Sequence, residues 1–483
     1  MSQSLKQQTV TGVKWSAIER IANQSVHFVV NVIMARLLCP ADYGLVGMVA
    51  VFLSLSEVFV NSGFSQALIR KIDRTESDNC TAFYFNIIIS WLCYGILYVA
   101  APYISAFYNQ PQLVSITRVI SLLIPIRSLG IVQKALLSVK MDFRTQSRAS
   151  VIGSMISGIV GVTLAYSGFG VWSIVIQRIA GLSTTVILLW IVAKWRPTKP
   201  FSWASFKDLF GFGSKLLLTG IVKAIYANIR KLVIGKFYSP AELGFYSKAS
   251  NFSSSPTQSL TTILQRVVYP VLCKLQQNGN RMNAAYRQFI RLAAFLNFPL
   301  MAGMAGISQA FVLVLLGDKW AFTGELLLFS AFSRILEPIH AINLNPLQAL
   351  GRSDLFLRLE IIKKILGLTI LAITVQFGIK AIIIGSIFSS VIGLFINSYY
   401  NKRLIGLGLL EQLKDVAPSF LLAMSMFSII MVWNYFVENI YVELIGGILI
   451  GATFYVGCAY FFKFDELFQL VDLTKNYLFK RHE

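Results

Sequence analysis

Ionisable and amide side chains recur at strict four-residue spacing in one apolar stretch near the start of the chain: Glu19, Asn23, His27 and Asn31. On a helix this spacing lays them along one slowly drifting stripe. A second stretch carries Lys215, Thr219, Lys223 and Lys231 on the same register. Glu57 and Asn61 sit near the middle of another apolar run, Arg118 and Arg127 in a fourth, and Arg334, Glu337 and His340 in a fifth. Two kinds of chemistry follow. A carboxylate or imidazole held away from bulk water can take up and release an ion, which makes Glu57, Glu19, His27 and Glu337 candidates for ion coupling. Cationic groups bind anions, and Arg suits phosphate through paired hydrogen bonds; Lys215, Lys223, Arg127, Arg118, Arg334 and His340 are the candidates for holding an anionic cargo. The amides of Asn23, Asn31 and Asn61 would line the same polar path. Metal chemistry has no support: the five cysteines are scattered without a CxxC pair. The chain also lacks GxxxxGK[ST], HExxH, GxSxG and DxD motifs. It is therefore expected not to be an enzyme and to need no cofactor.

The elements that must position these groups are membrane spans. Of 483 residues, 55% are hydrophobic and 13% charged, too apolar a composition for a water-covered surface. About fourteen apolar stretches of roughly 20 residues are long enough to cross a bilayer as helices. They fall near 15–37, 44–69, 81–104, 113–134, 149–168, 171–193, 209–235, 244–265, 288–316, 323–349, 359–377, 379–400, 416–436 and 440–462. The net charge of +21 could suggest a nucleic-acid partner. Its placement argues otherwise. With both termini cytoplasmic, about 26 Lys and Arg lie in inside loops and about 4 in outside loops. The charge reports orientation, and no nucleic acid is expected as a partner.

Charges within spans are costly, about 2.5–3.5 kcal/mol each at mid-bilayer even on a lenient scale. Lys248, Arg230, Lys231, Lys363 and Lys364 lie near span ends and can snorkel to an interface. Glu19 and Arg20 could cap a cytoplasmic helix end, and His27 could be a packing residue. The deeper groups must face one another or water. A polar cavity with an excess of cations is the expected result, suited to an anionic, phosphate-bearing cargo.

The chain also repeats itself. "CPADYGLV" from Cys39 returns as "SPAELGFY" from Ser239, "IPIRSLGIVQKAL" from Ile124 as "EPIHAINLNPLQAL" from Glu337, and "GFGVWSIVI" from Gly168 as "QFGIKAIII" from Gln376. The matches keep chain order, and His340 aligns with Arg127. The expected organisation is a six-span lobe over 1–200 and a second over 201–405 that begins with an interfacial linker helix. Two further spans and a cytoplasmic tail follow over 406–483. An even number of spans per copy makes the repeat parallel. Gly447 and Gly451 form a GxxxG pair suited either to close helix packing or to a dimer contact.

The stretches "ADYGLVGMVAVFLSLSEVFVNSGFSQALIRK", "FSWASFKDLFGFGSKLL", "LQRVVYPVLCKLQ" and "LQALGRSDLFLRLEIIKK" resemble the polysaccharide transporters of the multidrug/oligosaccharidyl-lipid/polysaccharide exporter superfamily. Within it they are most similar to the Wzx-type flippases and the colanic and teichuronic acid exporters. The resemblance implies an all-α membrane protein of about fourteen helices, two parallel six-helix lobes plus two, around a V-shaped central cavity. It implies alternating-access translocation of undecaprenyl-pyrophosphate-linked oligosaccharide across the bacterial inner membrane, driven by protons or sodium. Membrane lipids, the lipid-linked oligosaccharide and the polymerase and chain-length proteins of the same pathway are the implied partners. Three alternatives stand beside it. A lipid II-type precursor flippase differs only in the sugar, a drug/cation antiporter would want an acidic cavity, and a membrane-embedded glycan polymerase or ligase would want a large outside loop.

Overall fold

A computed structural model describes residues 24–61 and 63–479, apart from the side chains of Phe212, Lys215, Leu216 and residues 473–479. Glu19 and Asn23, and the Lys215 side chain, lie outside the described residues. Every regular element described is helical. Nine of the described helices are long and apolar enough to cross a membrane, and the protein is an all-α membrane protein.

The chain divides into two compact units, Met1–Gly244 and Phe245–Glu483. The first unit begins with α1 (24–37) and continues through α2 (Pro40–Asn61), α3 (Phe64–Arg70), α4 (Glu76–Tyr108), α5 (Leu113–Ile120), α6 (Leu123–Val139), α7 (Phe143–Tyr166), α8 (Val171–Ala193) and α9 (Trp203–Phe237). It also takes in the first turn of α10 (Pro240–Lys274).

The repeated octapeptide is a helix start used twice. Pro40 and Pro240 open α2 and α10, where a missing N–H costs nothing. Three residues beyond the cap, an acid reaches back to the cap nitrogen: Asp42 accepts from the Cys39 N–H at 3.0 Å and Glu242 from the Ser239 N–H at 2.9 Å. The two starts also pack against each other. A Cβ on Gly44 would overlap the Pro240 carbonyl, and a Cβ on Gly244 would overlap the Pro40 carbonyl. Glycine is required at both places because the obstacle is rigid backbone.

Several expected spans are interrupted. The stretch 113–134 is α5 and α6, broken at Ser121–Leu122, and 323–349 is α13 (Ala321–Ser333) and α14 (Glu337–Ala349), broken at Arg334–Leu336. Pro125 and Pro338, which lack an N–H, sit in the first turn of α6 and of α14, where none is needed. These prolines are aligned in the repeat, and both copies break at the same place. The stretch 288–316 is also divided, into α11 (Gly279–Gly306) and α12 (Ser308–Leu316). The expected interfacial linker helix is not separate. It is the first part of α9, a single helix of 35 residues starting after the Ser202 cap, because nothing between 203 and 237 is stronger than a glycine as a breaker.

The second unit comprises the rest of α10, α11–α14, α15 (Ser353–Thr374), α16 (Ile379–Ile405), α17 (Leu409–Phe436), α18 (Ile440–Phe461) and α19 (Asp465–Phe479). Its apolar core joins α11 to α17 and α18 through Phe295, Phe298, Met301, Met426, Ile430 and Tyr455. The Tyr455 hydroxyl donates to the Phe295 carbonyl at 3.0 Å. Gly447 and Gly451 face Ile430 of α17, so this GxxxG pair lets α17 and α18 approach closely.

Candidate functional site: a cationic cavity in the first unit

Three helix faces of the first unit build the site. On α2, Ala50, Leu53, Ser54 and Glu57 share one face by their spacing. On α6, Leu123 and Arg127 stand one turn apart, immediately after the break at Ser121–Leu122. On α8, Arg178, Gly181, Leu182 and Thr185 form the third face. The depth of the α8 face follows from its packing on α7. Gly153, Ser157 and Gly161 recur every four residues on α7, and Cβ atoms on the two glycines would collide with Thr185 and Gln177 of α8. Small residues at this spacing bring two helix backbones together.

Together with His27 of α1 and Ser150 and Ser154 of α7, these faces enclose a cavity of about 560 Å³. An ion pair spans it: Arg127 Nη1 lies 2.8 Å from Glu57 Oε1, with the side chains 40% and 32% exposed. Partial exposure keeps such a pair weak enough to exchange partners. Arg178 lies near enough to Glu57 and Tyr43 to interact with both electrostatically. Its side chain is exposed and lines the cavity. His27 Nε2 lies 3.4 Å from Ser154 Oγ. Among the described residues, the ionisable lining is thus Arg127, Arg178 and His27 against one carboxylate, Glu57. Hydroxyls of Ser54, Ser150, Ser154, Ser157 and Thr185 add polar groups. Water and an anion can both be accommodated there, and an anion would find two guanidinium groups.

Of the sequence candidates, the structure brings Glu57, Arg127 and His27 together. The sequence offered no basic residue near Glu57 on its own helix; its partner comes from α6. Arg178 is the residue that sequence reasoning passed over. Its signal was a lone arginine midway along a span. Asn31 and Asn61 are exposed and outside the cavity lining, as is Lys223 on α9. α9 meets α2 through a different face, where Asn228 Nδ2 donates to Ser54 Oγ at 2.9 Å and Gly220 admits Val58. Arg118 does not join Arg127. It faces a separate cavity between α4 and α5, because the break at Ser121–Leu122 re-aims the chain between them.

The remaining candidates lie in the second unit. Arg334 pairs with Glu337 at 2.8 Å across the break and its Nη2 lies 3.4 Å from Ser250 Oγ. His340 is held between α14 and α16, with Nε2 2.9 Å from Ser390 Oγ and Nδ1 3.2 Å from Asn397 Nδ2.

A family profile described as "Polysaccharide biosynthesis protein" matches residues 33–325. Teichuronic acid biosynthesis protein TuaB of Bacillus subtilis (strain 168) is 26% identical over 355 residues, 73% of each chain. Succinoglycan biosynthesis transport protein ExoT of Rhizobium meliloti (strain 1021) is 26% identical over 340 residues, 70% of this chain and 69% of that one. The fold matches the lipid II flippase MurJ in an inward closed conformation, with a TM-score of 0.73 at 14% identity, covering 94% of this chain and 99% of MurJ.

Proposed function

The chain belongs to the polysaccharide biosynthesis protein family, and from that premise we propose that it is a flippase for lipid-linked oligosaccharide units whose link to the lipid is a pyrophosphate. The observation that carries this reading is the cation excess of the first unit's cavity, where, among the described residues, Arg127 and Arg178 face a single carboxylate. A pyrophosphate entering there would draw Arg127 away from Glu57 and bind both guanidiniums through charge-assisted hydrogen bonds. Glu57, released, would be free to take a proton. Binding of the anion and of the coupling ion would then be linked through one shared arginine, a direct route to gradient-driven alternating access.

On this reading the protein is a carrier and not an enzyme. It sits in the bacterial inner membrane with both termini cytoplasmic, as the distribution of Lys and Arg over the loops argues. Polymerase and chain-length proteins of the same pathway would receive its cargo.

The test uses the full chain in vesicles with two cargoes that share a glycan, one linked to polyprenol by pyrophosphate and one by an uncharged bond. Movement of the pyrophosphate-linked cargo alone is expected. Equal movement of both would show that the cationic cavity does not select the cargo.

A further inference from the structure

A second cavity, of about 420 Å³, lies between α4 and α5 and is lined by Tyr94, Tyr98, Pro111, Val114, Ser115, Arg118, Val119 and Leu122. Its size falls within the range of small-ligand sites. Arg118 is the charged group in that lining. The guanidinium stacks over the Tyr98 ring at 4.4 Å, and Nε donates to the Tyr98 carbonyl at 3.5 Å. Among the described residues no carboxylate lies within ion-pair distance of it. The Nη–H groups of this guanidinium therefore remain available to an acceptor in the cavity.

The surroundings say what that acceptor is attached to. α4 leaves Trp91 (55% exposed), Leu92, Val99 and Tyr103 uncovered beside Tyr98 (43% exposed). Apolar and aromatic side chains left open on a membrane span face lipid. The other end of α4 is charged, with Lys71 bound to Asp78 at 3.0 Å. Tyr98 lies about 30 Å further along the helix than Asp78 at 1.5 Å per residue, about one hydrocarbon thickness from that charged end. The cavity thus lies at the boundary between hydrocarbon and headgroups on the side opposite the Lys71 loop. Apolar walls, tyrosines and one cation suit a lipid phosphodiester, with the phosphate on Arg118 and the glycerol and chain roots on Val114, Val119 and Leu122.

We propose that the Arg118 cavity between α4 and α5 is a binding site for the phosphodiester headgroup of an anionic membrane lipid, separate from the Arg127 cavity.

Native mass spectrometry of the full chain in detergent tests this, using phosphatidylglycerol, phosphatidylcholine and inorganic phosphate as probes. The wild-type chain is expected to retain phosphatidylglycerol about tenfold more than Arg118→Gln does, the effect of one charged hydrogen bond. Val119→Trp, which fills the cavity and keeps the guanidinium, is expected to lose the lipid as well, and it serves alone if Arg118→Gln does not accumulate. Equal retention by wild type and Val119→Trp overturns the site. Phosphatidylcholine retained as well as phosphatidylglycerol overturns the anionic headgroup. Heat protection by inorganic phosphate equal to that by phosphatidylglycerol shows a free-phosphate site and overturns the lipid.

Discussion

The two units use related sequence to different ends. In the first, charged groups from separate helices meet across open space: Glu57 of α2 with Arg127 of α6, and Arg178 of α8 beside them. In the second, the charges at the matching break and on α15 pair with near neighbours, Arg334 with Glu337 and Glu360 with Lys363, both three residues apart. Remote pairs there, such as Arg287 of α11 with Asp415 of α17, tie packed helices together. The position aligned with Arg127 is His340, fastened to Ser390 and Asn397. The break shared by both copies shows the same contrast. In the second unit the buried Asn297 amide donates to the Arg334 and Ile335 carbonyls at 3.2 and 2.7 Å. Long-range pairs across a cavity can be replaced by a ligand, whereas local pairs and satisfied amides hold helices in place. The difference teaches that duplicated polar positions need not share a role. The role depends on whether the pair spans open space or packed helices.

The sharpest way to break this comparison is Arg178→Gln. One charge-assisted hydrogen bond to an anion contributes about 1.5–3 kcal/mol, so cargo binding is expected to fall about 10- to 100-fold. Vesicle transport and thermal unfolding on the same preparation separate this loss from misfolding. Unchanged transport would remove the first unit's claim to the cargo.

Gly44→Ala probes one of the two close approaches between the copies of the octapeptide. Its Cβ overlaps the Pro240 carbonyl, and overpacking against backbone costs about 1–3 kcal/mol. A lowered melting temperature is expected, and an unaltered one would mean that the two helix starts do not pack as described.

Asn297→Ala should behave oppositely to Arg178→Gln. Two buried carbonyls lose their donor, at about 1–3 kcal/mol in stability, while transport per folded molecule stays near wild type. A transport defect without a stability defect would move the second unit into the cargo path.

Breaking the Glu57–Arg127 pair by Glu57→Gln is expected to change stability by only about 0.2–1 kcal/mol, since the pair is partly exposed. Gradient dependence of transport should weaken markedly. If vesicles show the same response to the gradient, Glu57 is not the coupling group.

Lys223→Ala has the smallest expected effect on stability, within about 0.5 kcal/mol for an exposed side chain, with insertion and abundance intact. With Lys223 outside the cavity lining, export should stay near wild type. Loss of export by the well-folded variant would return Lys223 to the cargo path.

Much of this was legible in the sequence. The proline, acid and glycine of the octapeptide specify a capped helix start that another backbone can approach closely, and these are local properties of four or five residues. The helix breaks before Pro125 and Pro338 were not legible, since prolines such as Pro102, Pro299 and Pro418 lie within continuous helices. Hydrophobic runs of bilayer length determined the membrane character, and mid-span position singled out Glu57, Arg127 and His27. Partnership was not legible. Periodicity fixes the face a residue occupies on its own helix, but not which helix that face meets or at what depth. Only the tertiary structure decided that Glu57 pairs with Arg127, that the small residues of α7 bring Arg178 to the same cavity, and that Arg118 has a cavity of its own. Those outcomes depend on the rotation and closeness of helices far apart in the chain, which side-chain volumes across each interface set and which no window of sequence contains.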